Sequence, residues 1–75
     1  MKEYRTHDLN LAAYLHYLGF SFLAKDVHDG KYTVVFELSE EITKASIGYY
    51  NGATAEAKKL FDAYRTTKDF LWNNK

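Results

Sequence analysis

The chain carries three histidines, His7, His16 and His28, and imidazole is the side chain most often used to hold a transition metal. A site built on one element needs ligands that recur on one face, such as i and i+4 of a helix. His7 falls at a helix start, His16 on a helix face and His28 in a hairpin loop, and none shares such a spacing with a second ligand. They read as solvated surface residues, and no metal or cofactor is expected. Asp26, His28 and Asp29 gather near a hairpin tip, where aspartate commonly serves the backbone of the turn itself.

Nucleophilic chemistry needs a hydroxyl or thiol oriented by a base and a third group. There is no cysteine, and Ser21, Ser39 and Ser46 stand in no such pattern. Glu40 and Glu41 are adjacent, so on a helix they diverge; their place in a first turn is explained by the positive end of the helix dipole. The four glycines are isolated, which rules out a glycine-rich phosphate loop. The chain is therefore expected not to be an enzyme.

Binding chemistry has more to work with. Lys58, Lys59, Arg65 and Lys68 lie on one C-terminal helix, and Lys2, Arg5, Lys25 and Lys31 lie elsewhere. Tyr17, Tyr50 and Phe70 are candidates for stacking on bases. Ten Lys and Arg are balanced by ten Asp and Glu among 75 residues, so the electrostatic drive of a duplex binder is missing. Arg5, Tyr50, Arg65 and Lys68 are the polar residues that folding explains least, and they are the candidate ligand or nucleic-acid contacts.

The elements that position these residues follow from periodicity. Lys2 to Arg5 reads as a short edge strand with Tyr4 as its large side chain. Thr6 or Asp8 caps a helix over Asp8 to Leu18, in which Leu11, Leu15 and Leu18 recur on one face with Ala12 and Tyr14 beside them. Gly19 stops it. Phe20 to Leu38 reads as a hairpin. Phe20, Phe22 and Ala24 share one face of its first strand, and Tyr32, Val34, Phe36 and Leu38 share one face of its second. These sets meet only with Phe22 opposite Phe36 and Phe20 opposite Leu38. That register predicts a three-residue loop, His28-Asp29-Gly30, with Gly30 as a bulge. The opposite face then carries Leu23, Lys25, Val35 and Glu37, the candidate partner surface.

Ser39 caps a second helix, with Ile42, Ala45, Tyr49 and Ile47 as its apolar contacts, and Asn51-Gly52 ends it. Gly48 either permits close packing or ends that helix early. Thr54 caps a last helix over Ala55 to Trp72, with a stripe of Ala57, Leu60, Phe61, Tyr64 and Leu71, and Trp72 at its margin. Phe70 falls off that stripe and is expected to be exposed. Lys58 with Asp62 and Arg65 with Asp69 form i, i+4 pairs. Asn73 to Lys75 is expected to fray. The order β-α-β-β-α-α implies one α+β domain over residues 1–75. It has a three-stranded antiparallel sheet, the hairpin's second strand at its centre, and helices packed on one face.

Several of these residues together resemble a small uncharacterised domain family of bacterial and phage genomes. They are Thr6-x-Asp8-Leu9-x-Leu11-Ala12-Ala13-x-Leu15, Gly19-Phe20, Phe36 with Ser39 and Ile42, Tyr50-Asn51-Gly52, and Arg65-x-x-Lys68. The likeness spans nearly the whole chain, and neither T-x-D-L-x-L-A-A nor Y-N-G is a catalytic motif. The proline expected shortly after Asn51-Gly52 is absent, which puts the start of the last helix in question. The resemblance implies a phage or prophage accessory protein and assigns no site.

The N-terminus lacks the apolar core of a signal peptide. No run reaches the roughly 18 apolar residues of a membrane span, and the lack of cysteine suits a reducing compartment. The expected place is the cytoplasm of a bacterial or phage-infected host cell. The expected function is that of a non-enzymatic binding module for a protein partner or a second copy of itself. The alternatives are a nucleic-acid binder using the last helix and an inhibitor of a host defence enzyme.

Overall fold

A computed structural model describes residues 2–72, so the expectation for Asn73 to Lys75 lies outside it. The elements are β1 (Glu3–Thr6), α1 (Leu9–Tyr17), β2 (Phe22–His28), β3 (Lys31–Glu37), α2 (Glu40–Tyr50) and α3 (Ala57–Trp72). The strands form an antiparallel sheet in the order β1-β3-β2, so β3 is central. The fold is α+β.

The hairpin differs from the sequence reading in an informative way. Phe22 does stand opposite Phe36, but His28 pairs with Lys31, so the loop is only Asp29-Gly30. Both residues have positive φ, 52° and 76°, as in the tight turn whose twist matches that of its flanking strands. The two observations conflict only for an unbroken strand. A β-bulge between Phe22 and Ala24 absorbs the extra residue, so Ala24 faces Val35 and Lys25 faces Val34. The strand thus changes face at Leu23. Phe20 stands before β2 and packs against the core. Leu38 does not pair with it in the sheet; its amide donates to the Lys2 carbonyl at 2.9 Å.

Asp8 closes the start of α1. Its Oδ1 accepts from the amides of Asn10 at 3.0 Å and Leu11 at 3.2 Å, while the Thr6 hydroxyl accepts from the Asp8 amide at 3.0 Å. Asp8 is therefore the cap and Thr6 supports it. At the other end Gly19 has φ 106°. Its amide donates to His16 O and that of Phe20 to Leu15 O, at 2.9 and 3.1 Å, which is the paired closure that a left-handed residue makes. Leu11 to Leu15 are all buried, so α1 has neighbours on every side. The core joins Leu11, Ala12 and Leu15 to Val34 and Phe36 of β3, Ile42 of α2 and Leu71 of α3.

In α2 the expected contacts hold for Ile42, which is buried, and for Ala45 and Tyr49, which pack against the core, but Ile47 is 58% exposed and Ser46 is buried. α3 is turned relative to its expected stripe: its buried residues are Ala63, Thr67 and Leu71, and Phe61 is 68% exposed. Each helix thus takes a hydroxyl into the interior. Ser46 donates its hydroxyl to Ile42 O at 2.9 Å and Thr67 donates to Ala63 O at 2.8 Å. A hydroxyl satisfied within its own helix enters the interior at little cost, and its small volume lets helices approach closely. Phe70 is half-buried and packed on the core, against the expected exposure.

Gly48 neither ends α2 nor permits a close contact. The helix runs on to Tyr50, and a Cβ added at Gly48 meets nothing within 4 Å. Gly48→Ala is expected to raise stability by about 0.5–1 kcal/mol, because Ala removes chain entropy from the unfolded state without a clash. Urea denaturation measures this, and an unchanged or lower midpoint contradicts it.

Candidate functional site

The structure divides the candidate partner surface. Val35 does face away from the helices but is only 1% exposed, with Arg5 and Ala24 as its register neighbours. Leu23 lies at the bulge, 44% exposed, and Glu37 is exposed. Lys25 is on the other side of the sheet, since the bulge places it in register with Val34. Its ammonium donates to the carbonyls of Phe70 at 2.6 Å and Leu71 at 3.1 Å, and it stands 5.5 Å from the centroid of the Phe70 ring. A cation there opposes the negative end of α3 and satisfies carbonyls of its last turn. Lys25 is thus a tie between sheet and helix.

Next to it runs a column of rings. Phe22 is stacked on Phe70 with centroids 4.4 Å apart, and on His16 with centroids 4.6 Å apart. His16 is half-buried and part of this packing, not a solvated surface residue. The other two histidines are exposed as expected. His7 Nδ1 lies 3.0 Å from the Tyr32 carbonyl oxygen, and His28 is paired with its neighbour Asp29 at 3.1 Å. No group of His, Cys, Asp and Glu among the described residues is placed to hold a metal ion.

The four candidate ligand contacts do not form one site. Arg5 projects from the helix-free face of β1 and pairs with Glu3 at 3.0 Å. Tyr50 donates its hydroxyl to Asp8 Oδ2 at 3.0 Å. The T-x-D and Y-N-G motifs therefore meet in space: one carboxylate caps α1 and holds the last residue of α2. Two further phenols act at helix starts. Tyr32 accepts from the Leu9 amide at 3.2 Å, and Tyr17 accepts from the Glu56 amide at 3.1 Å. Much of the tyrosine surplus thus serves to join elements.

Arg65 and Lys68 are the pair that the structure does bring together. They share the outer face of α3 with Phe61, Tyr64 and Trp72, at helical spacings of three and four. Phe61 is 68% and Trp72 49% exposed. The Lys68 ammonium stands 5.6 Å from the centroid of the Tyr64 ring. These residues, with Asp69, line a depression of about 440 Å³. Phe61 and Tyr64 also line an apolar groove of about 280 Å³, walled by Ala13 of α1, Tyr49 of α2 and Leu60 of α3. The two adjoin at Phe61 and Tyr64, which line both, and the trough so formed is apolar on one side and lined by Arg65, Lys68 and Asp69 on the other. Reading by hydrophobicity assigned Phe61 to the core and so missed it. The recurrence of aromatic and basic residues at 61, 64, 65, 68 and 72 was the available signal.

Serine hydroxyls here serve the backbone: Ser39 accepts from the Ile42 amide at 3.1 Å and Ser46 donates to a carbonyl. What the trough offers is apolar contact, ring faces, two cations and the Asp69 carboxylate.

Two expected outcomes follow from these ties. Lys25→Met retains the stem and removes the charge, and should cost about 1 kcal/mol of stability; an unchanged denaturation midpoint counts against the tie. Tyr50 has its pKa raised above the ordinary 10.0 chiefly by its bond to Asp8, and Tyr49 is raised mainly by burial. The folded chain keeps phenolic protons that the unfolded chain gives up near 10, so stability is full below that pH and falls above it. Tyr50→Phe should flatten part of that alkaline fall, as followed by circular dichroism against pH; an identical profile contradicts it.

No helix among the described residues is long and apolar enough to cross a membrane. No match to the chain was found among curated proteins or among solved structures. Residues 1–73 match the family described as Domain of unknown function (DUF5659), and the chain belongs to that family.

Proposed function

We propose that this domain is a non-enzymatic binding module of a phage or prophage accessory protein, working in the cytoplasm of a bacterial or phage-infected host cell. It acts by presenting the outer face of α3 to another protein. The observation that carries this is the exposure of Phe61 and Trp72 on the same helix face as Arg65 and Lys68. Large exposed apolar groups beside cations are costly to keep in water and are the residue types that dominate protein interfaces. The sheet face centred on Leu23 and Val35 is a weaker candidate, because Val35 is covered and Lys25 is engaged with α3.

A second reading, single-stranded nucleic acid, draws on the same face. Phe61, Tyr64 and Trp72 alternate there with Arg65 and Lys68, which suits base stacking beside phosphate contact. Asp62 and Asp69 on the same helix and the balanced charge of the chain count against it.

A photo-reactive phenylalanine analogue placed at position 61, and separately at position 23, tests the reading in cells that carry the native gene. Protein adducts are expected at 61 and absent at 23, and Arg65→Glu should reduce those at 61. Adducts at 23 alone overturn it. Binding of fluorescent oligothymidylate that weakens steeply with salt and with Lys68→Ala favours the second reading instead.

A further inference from the structure

We infer that β1 is a docking edge for a second copy of this chain, the two copies pairing β1 with β1 antiparallel about a two-fold axis at Tyr4 into one continuous sheet. This goes beyond the reading of α3 and does not depend on it. Among the described residues β1 lies at the edge of the sheet and pairs with β3 alone. The phase of that pairing is given by Leu38, whose amide donates to the Lys2 carbonyl at 2.9 Å. Lys2 and Leu38 are thus a hydrogen-bonded pair of the ladder. By alternation so are Tyr4 with Phe36 and Thr6 with Val34. The N–H and C=O groups of Glu3 and Arg5 therefore point away from β3, towards the open edge. Their side chains are 42% and 57% exposed. A free edge is a template for another strand. The opposite edge, β2, is blunted by the Leu23 bulge and by Lys25, which points inward to α3. β1 is protected only by its shortness and its two charges, and those charges are of opposite sign.

The charges select a single register. Residues that face each other across an antiparallel pair share a face of the sheet. A symmetric pairing of β1 with itself is therefore centred on Glu3, on Tyr4 or on Arg5, and not between two residues. Centred on Glu3 it sets two carboxylates directly opposite each other, and centred on Arg5 two guanidinium groups. Centred on Tyr4 it sets Glu3 opposite Arg5 of the second copy, on both sides of the axis. Like charges directly opposite destabilise a strand pair, and unlike charges stabilise it. The same register matches the free backbone groups. The Glu3 N–H meets the Arg5 carbonyl of the second copy, and the Arg5 N–H meets its Glu3 carbonyl. Within one chain Arg5 already pairs with Glu3 at 3.0 Å. In the dimer the Glu3 and Arg5 side chains of both copies alternate around the axis, so each carboxylate stands between guanidinium groups. Glu37 lies opposite Glu3 on β3 and repels it; the added guanidinium offsets that repulsion. Every contact occurs twice, as a closed isologous interface requires.

Sedimentation equilibrium of the whole chain, with thermal melts of every variant as the folding control, measures the association. The wild type is expected to dimerise reversibly at concentrations below about 1 mM. Glu3→Arg and Arg5→Glu should each raise the dissociation constant about fivefold or more, because attractions on both sides of the axis become repulsions. Combined in one chain, E3R and R5E exchange the charges and keep their pattern, and should return the constant to within about twofold of the wild type. Phe61→Asp should leave it unchanged. Amide exchange followed by NMR reads the register on the wild type itself. The Glu3 and Arg5 amides should slow as concentration rises, while those of Tyr4 and Thr6 are slow throughout. A wild type that is monomeric at about 1 mM overturns the dimer, and so does a double variant no tighter than the single ones. A dimer that dissociates on Phe61→Asp but not on Glu3→Arg places the interface on α3 and overturns it as well. Glu3 and Arg5 amides that exchange at one rate at all concentrations do the same.

Discussion

The extra residue at Leu23 is the constraint on which the rest of this fold depends. An aromatic face and a tight two-residue turn impose opposite registers on one hairpin, and a bulge is the local device that admits both. On the side nearer the core, Phe22 meets Phe36 and the ring column with His16 and Phe70 forms. On the side nearer the turn, Lys25 is carried to the helix side and reaches the end of α3. Without the bulge, one of these two ties between sheet and helices is lost, because a slip of one residue turns over every side chain beyond it.

A second constraint is the size of the chain. With few residues to bury, close approach of the helices matters more than the volume of each side chain. Ala12 and Ala13 of α1, Ser46 of α2 and Ala63 and Thr67 of α3 are all buried. The larger Ile47 and Phe61 are displaced outward as a result. The exposed apolar groups of this domain are therefore the counterpart of its small-residue interior. Phenol groups supply directional links where little apolar area is available: Tyr17, Tyr32 and Tyr50 each reach a helix end.

Much of this was legible in the residues. The element order, the strand order, a cap of α1 at Thr6 or Asp8 and of α2 at Ser39, the stops at Gly19 and Asn51-Gly52, and the Phe22–Phe36 pairing follow from spacing and residue chemistry alone. What was not legible has two causes. Alternation of apolar residues sees only one face of a strand at a time, so it replaced a mid-strand bulge with a longer loop. Hydrophobic periodicity ranks a threonine below a phenylalanine and does not see that the Thr67 hydroxyl is satisfied by its own helix, so it turned α3 by a fraction of a turn. That second error concealed the trough, because Phe61 was assigned to the interior. The division of the four ligand candidates was hidden for another reason. Tyr50 and Asp8 are far apart in sequence, and their contact exists only once α1 and α2 have docked.

The coupling of the Leu23 bulge to the Asp29-Gly30 turn has an evolutionary consequence. The two features fix one sum, the number of residues that β2 and the turn together place against β3. A relative that gains a residue in the turn keeps the Phe22–Phe36 contact only by losing one near Leu23. A relative that loses the bulge must lengthen its turn. Insertions and deletions at these two places are thus expected to occur as compensating pairs within the family. An aligned set of its members should show hairpins of variable turn length but nearly constant separation between the positions of Phe22 and Phe36.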